Sequence, residues 1–262
     1  QLADTWELPD GSYVRNQLHV AKHARRLLQG FYYRWDWTAD PWQGEEDTDW
    51  LSARRDYRRC VRDYCRQSIP GRDTPGLVRR ALQNGDIDSP NLRAAWSRWQ
   101  RHRHKPRPPI DTVWLDDYLL RDAIERVQRT GGIVWYDQRA VARRLQQLGL
   151  RVYWPDGDDP SEAAEAHACA CSVQSHATGA TLHQWRRSYI LSPPASAQLW
   201  EQLLGRTHRS GQKSDEIVAR PYANHARLAE ALRRARNDAE FLERTTGQRQ
   251  KLLLADWSEI SS

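Results

Sequence analysis

The sequence has no methionine and only two phenylalanines among its 262 residues, and it has no long apolar run. Its apolar runs are far too short for a membrane-spanning helix. The opening residues, QLADTWELPDGSY, lack both the basic start and the apolar stretch of a secretory signal peptide. The absence of methionine, at position 1 as elsewhere, favours a fragment of a longer protein. We expect an intracellular, cytoplasmic chain without a membrane partner.

Cysteine is also scarce, and the four cysteines present do not make a disulfide framework in a chain of this length. A zinc site built from Cys169 and Cys171 with His167 and His176 is conceivable, but no C-x₂-C pair supports it. His167, Cys169 and Cys171 alternate along an apolar run that is typical of a buried strand, where cysteine behaves as a small hydrophobe. We therefore predict no metal site and a reducing compartment.

Lysine is rare, since arginine supplies almost all of the 40 basic residues, and the formal net charge is +6. Residues 1–110 carry 20 basic against 14 acidic residues, whereas residues 111–262 carry 20 of each. The whole surplus therefore lies in the first part of the chain, and a polyanion partner is the usual reason for such asymmetry. Arginine also suits bidentate contacts with phosphates.

Three regions differ in their residue pattern: residues 1–110 are mainly helical and basic, residues 111–222 mix strands and helices, and residues 223–262 form a helical tail. In the first region, the periodicity predicts helices over Val14–Gln29 and Trp50–Ser68.

Arginines recur every four residues along the second of these helices, at Arg54, Arg58 and Arg62, which predicts a basic ridge. The ridge either contacts nucleic-acid phosphates or is a solvated face, while Tyr57 and Val61 lie on another face and pack inward.

An aromatic cluster, FYYRWDW, occupies residues 31–37. Such rings stack on unpaired bases in some nucleic-acid-binding proteins. Large aromatic side chains are more often part of a core, and that is the favoured interpretation here.

Short apolar runs alternate with helical patterns from residue 111 onwards, which predicts an α/β fold with a parallel sheet covered on both faces. A helix is predicted over Gln138–Leu148, and an amphipathic one over Ala223–Leu242. The strand candidates are residues 112–115, 132–136, 151–154, 168–173, 188–191 and 216–222.

The most specific stretch is QLWEQLLGRTHRSGQKSDEI, at residues 198–217, where Arg206 and Arg209 lie between Gly205 and Gly211. Arginines presented in this way can reach the γ-phosphate of a nucleotide held by another lobe and stabilise charge in the transition state. On spacing alone, a surface loop with solvated arginines is the more frequent case.

This stretch closely resembles motif VI of Swi/Snf-type helicases of superfamily 2, Q-x-x-G-R-x-H-R-x-G-Q. The segment GGIVWYDQRAVARRLQQLG, at residues 131–149, is similar to motif IV, and the segment that starts at SVQSHATGATL is similar to motif V. The earlier residues are similar to the helical region of phage-encoded helicases. The matching positions in motif VI are Gln202, Gly205, Arg206, His208, Arg209, Gly211 and Gln212, and those in motif V are Ser175, Thr178, Gly179 and Leu182.

The resemblance implies the C-terminal RecA-like lobe of an ATP-dependent DNA helicase or translocase. Arg206 and Arg209 would be arginine fingers for ATP and Mg²⁺ held mainly by a first lobe, on the same chain or a separate subunit. Gln202, Gly205, His208 and Gln212 would complete the ATP-coupling motif. Ser175, Thr178 and Gly179 would contact the phosphates of DNA, with duplex favoured. The sequence departs from the family at residues 180–182 and 192–196, which concerns the coupling contacts more than the fold.

The phosphate-binding pattern G-x-x-x-x-G-K-[ST] is absent from the 262 residues. Asp116 and Asp117 in VWLDD imitate an acidic metal box, but we interpret them as the start of a helix. This chain alone is therefore not expected to hydrolyse ATP. The alternative function is a non-catalytic module that binds nucleic acid or a protein partner through a lone RecA-like lobe, whereas no clustered residue set supports a nuclease.

Overall fold

The structure is a computed structural model that describes residues 2–5, 7–12, 14, 17–40, 42, 48–157, 159–163, 167–177 and 181–254. Its helices are α1 Leu2–Thr5, α2 Gln17–Leu28, α3 Thr48–Cys65, α4 Pro75–Asn84, α5 Pro90–His102, α6 Tyr118–Thr130, α7 Arg139–Gln147, α8 Val173–His176, α9 Ala197–Thr207, α10 Ala226–Thr246 and α11 Lys251–Leu254. Its strands are β1 Phe31–Trp35, β2 Ile110–Trp114, β3 Ile133–Tyr136, β4 Arg151–Val152, β5 Cys169–Ser172, β6 Arg187–Ile190 and β7 Val218–Pro221, and a 3₁₀ turn covers Pro160–Glu162.

The chain divides into two compact units, and each is described by itself. Unit 1 comprises residues 1–32 and 112–262, and unit 2 comprises residues 33–111. The sequence divides the chain at other positions, after residues 110 and 222, and that division stays a prediction.

Unit 1 is built on a five-stranded sheet in the order β4-β5-β3-β6-β7, in which every pair of neighbours is parallel. The central strand β3 pairs with β5 and β6, and all four of its residues are buried. Helices connect the strands and cover the sheet, because parallel neighbours need crossover connections. The predicted parallel α/β sheet flanked by helices is confirmed, and it agrees with the RecA-like lobe that the motifs imply.

The core of unit 1 is rich in tryptophan. Trp135, Trp185 and Trp200 are fully buried, and each indole N–H donates a hydrogen bond to an oxygen inside the unit. Cys169 and Cys171 are also fully buried in this core, as the alternating pattern predicted. Among the described residues, no group of three histidine, cysteine or acidic side chains is placed to hold a metal ion.

The prediction for the strand at residues 112–115 was partly wrong. A strand forms there, but β2 pairs with β1 in a separate two-stranded sheet and does not join the parallel one. The aromatic residues 31–35 form its partner strand, which the sequence analysis missed. Gly30 precedes β1 with φ +86°, and an added Cβ would lie 2.2 Å from the carbonyl oxygen of Asp116, so this position requires glycine.

Unit 2 is a small helical assembly in which α3 packs along α5, with α4 against them. Tyr57, Val61 and Tyr64 of α3 are buried in its core, as predicted. Thr74 and Ser89 cap the first turns of α4 and α5, and a proline follows each cap, which is a favourable start for a helix. The predicted mainly helical character of the N-terminal region is confirmed.

The C-terminal amphipathic helix is confirmed as α10, which buries Leu228, Leu232, Ala235 and Ala239 along one stripe. Within the described part of the chain, no helix has both the length and the apolar character needed to cross a membrane.

Candidate functional site

Arg206 and Arg209, the two predicted arginine fingers, lie where α9 ends. We call residues Arg206–Gln212 the arginine turn. Leu203 and Leu204 of α9 are buried in the core, so the helix is fixed up to the point where the turn leaves it. His208 caps the helix through its backbone N–H, which donates to the carbonyl oxygen of Leu204 at 3.1 Å, while its ring is exposed.

Arg206 faces inward and is only 9% exposed. Its Nε donates a hydrogen bond of 2.7 Å to the carbonyl oxygen of Ala177. Burial, with the nearby charge of Arg209, lowers the pKa of its guanidinium, but the group stays protonated near neutral pH. Arg206 therefore ties the arginine turn to the segment that follows β5.

Arg209 faces outward and is exposed. Its Nε donates to the carbonyl oxygen of Gly205 at 3.1 Å, and one terminal nitrogen donates to Oγ1 of Thr181 at 3.1 Å. These two contacts orient the guanidinium and leave its remaining edge toward solvent. Of the two arginines, Arg209 is the one exposed to solvent.

Gln212 holds the far end of the arginine turn. Its side-chain amide donates to the carbonyl oxygens of Trp185 at 3.0 Å and Thr207 at 3.1 Å, and its Oε1 accepts from the backbone N–H of Ser214. Gly211 has φ +95°, a backbone conformation that residues with a side chain rarely adopt. The glycine and the glutamine thus fix the shape of the turn. Gln202 is half-buried on α9, one turn before Arg206.

The segment from Ser175 to Leu182 is hydrogen-bonded to the arginine turn at three places. Besides the Arg206 and Arg209 contacts already described, the backbone N–H of Leu182 donates to the carbonyl oxygen of Arg206 at 3.0 Å. Thr178 and Gly179, which the resemblance assigns to phosphate contact, lie outside the described residues. Ser175 is half-exposed in α8, and its N–H donates to Oγ of Ser172.

His176 belongs to the structure of this segment. Its Nδ1 accepts a hydrogen bond of 3.0 Å from the backbone N–H of Ser172, and burial lowers the pKa of its imidazole. It is therefore neutral near pH 7 and locks the turn between β5 and α8.

The C-terminal helices support α9 from outside. Asp238 of α10 accepts a hydrogen bond from the backbone N–H of Ala197, the first residue of α9. Glu201 pairs with Lys251 at 3.3 Å and also accepts from the backbone N–H of Leu252. Carboxylates at a helix N-terminus are stabilising, so α10 helps to define where α9 begins.

Helix α2 covers the carboxyl ends of β3 and β6, where the strand order of the sheet reverses. Gln29 donates to Oδ1 of Asp137, just after β3, and Arg25 donates to Oγ of Ser192 and the carbonyl oxygen of Pro193, just after β6. In open α/β sheets this crevice is the usual place for a ligand. Here Arg25 and Gln29 of the same chain make contacts at that edge, which the sequence pattern did not predict.

His23 of α2 is half-buried, and its imidazole is harder to protonate than an exposed one. The pKa of its imidazole is lowered to about 4 by burial first and then by neighbouring cations. Because the folded pKa lies below the unfolded value of 6.5, its contribution to stability is present above pH 6.5 and is lost as the pH falls toward 4. The cations are Arg26, His19 and Lys22, and Asp10 opposes them.

We expect His23 to lower the free energy of unfolding by roughly 1 kcal/mol between these pH values, because solvent screens part of the effect at a half-buried ring, and we expect His23→Gln to flatten the decrease. Denaturant titrations at a series of pH values measure it, with exposed His104→Gln as the control. An unchanged slope in His23→Gln would contradict the prediction.

Asp117 and Asp116 precede α6, as predicted. Asp117 forms a two-pronged ion pair with Arg144 of α7, at 2.8 and 2.6 Å, and this contact lowers the pKa of its carboxyl. Asp116 accepts from the backbone N–H of Tyr118. Both acids therefore have structural partners.

The three arginines of the predicted basic ridge, in unit 2, have different surroundings. Arg58 and Arg62 are exposed and make no ion pair within the described residues. Arg54 is half-buried, with its guanidinium over the rings of Trp35 and Trp50. The three arginines are therefore not equivalent, although their spacing is regular.

A groove of about 440 Å³ lies elsewhere in unit 1 and contains none of the predicted site residues. Its lining contains both apolar and polar side chains and consists of Leu27, Leu28, Asp116, Tyr118, Leu119, Asn224, His225 and Leu228.

No family model matches this sequence, and neither does any curated protein. Among solved structures, the chain is similar to the one described as the crystal structure of the C-terminal part of the Fun30 ATPase domain. The two share 10% identity with a TM-score of 0.40, over 87% of this chain and 79% of that chain. Support for a function of this chain must therefore come from the residues of the site itself.

Proposed function

We propose that this chain is the second motor lobe of an ATP-dependent DNA helicase or translocase. In this proposal a first RecA-like lobe, on the same polypeptide or another, holds ATP and Mg²⁺. This lobe supplies arginines to the nucleotide and contacts to the DNA backbone. The observation that carries the proposal is the set of three hydrogen bonds between the Ser175–Leu182 segment and the arginine turn.

Arg209 is proposed to contact the γ-phosphate directly. Its guanidinium is exposed and already oriented by Gly205 and Thr181, so little freedom is lost when a phosphate arrives. Charge that develops on the phosphoryl oxygens is stabilised by such a fixed cation. Gln202 and His208 belong to the same motif and are proposed to couple it to the nucleotide.

Arg206 is proposed to act with Arg209, as the connection between nucleotide and DNA. Its contact with Ala177 makes the position of the arginine turn depend on the segment that contains Ser175, Thr178 and Gly179. A shift of either element changes these hydrogen bonds, so that the presence of DNA and the state of the nucleotide affect each other. Backbone N–H groups and small hydroxyls suit contact with phosphates and do not identify bases.

Titration calorimetry with ATP tests the proposed division between the lobes. We expect no ATP binding to this chain alone, and binding once the first lobe is present. Tight ATP binding by this chain alone would contradict the proposal. If neither form binds ATP while DNA still binds, the non-catalytic binding module is the better account.

A further inference from the structure

Two guanidinium groups lie over a single indole ring in unit 2. The Cζ atom of Arg107 is 4.8 Å from the ring centroid of Trp35, and that of Arg54 is 5.6 Å from it and 5.1 Å from the ring centroid of Trp50. Arg54 comes from α3, whereas Arg107 comes from the Pro-rich segment before β2. The fold of this unit therefore brings together two cations that are distant in the sequence.

Arg58 lies one turn after Arg54 and adds a third positive charge. Burial lowers the pKa of the Arg54 guanidinium to about 10, and the charges of Arg58 and Arg107 contribute to that shift. In the described ranges, none of the three has a carboxylate within ion-pair distance. A cation over a ring keeps its charge and its N–H donors, so the repulsion between the three is not neutralised.

Two other arginines, Arg59 of α3 and Arg66 directly after that helix, differ in this respect. Arg59 lies 3.4 Å from a carboxylate oxygen of Asp56, and Arg66 lies 3.7 Å from one of Asp63. Both arginines are exposed, but each already has a carboxylate within ion-pair distance. Within the described residues, Arg54, Arg58 and Arg107 therefore differ from Arg59 and Arg66 in having no carboxylate at ion-pair distance.

We propose that Arg54 and Arg107 over Trp35, with Arg58 one turn further along α3, form a site for the backbone phosphates of a nucleic-acid strand. We call it the Trp35 arginine cluster. The proposal rests on the proposed function for the class of partner, and adds Arg107 and Trp35 to the residues involved. Guanidinium groups match phosphate oxygens in a bidentate way, and one that is held on a ring loses less freedom on binding. Because phosphates are the same for every base, the site has no sequence preference.

The salt dependence of DNA binding tests the cluster directly. The full 262-residue chain is titrated into a short mixed-sequence DNA duplex, and into its single strands, between about 50 and about 200 mM salt. In Arg58→Ala/Arg107→Ala we expect the slope of log K against log salt to decrease by about 1.8, since each phosphate contact contributes about 0.9. Arg54 is left in place because it packs on Trp50.

The control is Arg59→Ala/Arg66→Ala, which removes the same charge from arginines that already have carboxylate neighbours. We expect its slope to equal that of the unchanged protein. Equal decreases in both variants would mean a diffuse charge effect and would overturn the proposal, as would an unchanged slope in the cluster variant or no DNA binding at all.

This outcome is independent of the motor. If the cluster variant loses phosphate contacts while the two-lobe protein hydrolyses no ATP, the site stands and the proposed motor fails. If the two-lobe protein hydrolyses ATP while the cluster variant binds DNA as the unchanged protein does, the proposed motor stands and the site fails.

Discussion

Replacement of Arg209 by alanine is expected to lower the turnover number of the complete two-lobe motor by about 10³- to 10⁵-fold, the range found for arginine fingers in phosphoryl transfer. The reason is the exposed, oriented guanidinium that Gly205 and Thr181 hold in place. Neither contact is part of the core, so the fold should be unaffected. Steady-state ATP hydrolysis at saturating DNA measures the effect.

Two matched variants make this result specific. Arg186→Ala removes an exposed arginine from the same unit and should leave turnover unchanged. Arg209→Lys keeps the charge but loses the planar fork, so most of the loss should persist. Full turnover in Arg209→Ala would show that Arg209 is an ordinary surface residue.

Replacement of Trp185 by alanine should be the most destabilising single change near the site. The side chain is fully buried, its indole N–H donates to the carbonyl oxygen of His167 at 2.7 Å, and its own carbonyl oxygen accepts from Gln212. Loss of a buried tryptophan side chain costs about 3 to 5 kcal/mol, and the His167 carbonyl also loses its partner. The free energy of unfolding from denaturant titration measures this.

Phe241→Ala serves as the control for Trp185, because Phe241 is also aromatic but is 64% exposed. We expect it to change the free energy of unfolding by less than about 0.5 kcal/mol. Comparable losses in both variants would contradict the assignment of Trp185 to the core.

The sequence was sufficient to locate the strands of the parallel sheet, because short apolar runs between helical patterns are typical of buried parallel strands. It was not sufficient to identify the partner of each strand. β2 has an apolar run like the others, yet it pairs with β1, whose aromatic residues were interpreted only as a cluster. Strand pairing depends on contacts between distant residues, which hydrophobic pattern alone does not contain.

The spacing of the motif was sufficient to locate the arginine turn. It predicted the same role for Arg206 and Arg209. The structure distinguishes them by burial, since one faces Ala177 and the other faces solvent. The helical periodicity of α9 could have indicated that Arg206 is buried. Arg206 follows Leu203 by three residues, so both lie on the buried side of the helix.

The position of α2 over the sheet could not be predicted in the same way. Arg25 and Gln29 are residues that normally face solvent, and only the fold brings them to Ser192 and Asp137. Similarly, the four-residue spacing of Arg54 and Arg58 predicted a common role for them. The ring of Trp35, over which the Arg54 guanidinium lies, comes from another part of the chain.

The rate of ATP hydrolysis by the complete two-lobe protein, with and without duplex DNA, tests the central claim most directly. If the arginine turn is joined to a segment that contacts DNA, as proposed, DNA should stimulate the hydrolysis of ATP. No hydrolysis under either condition would contradict that claim and leave a module that binds without catalysis.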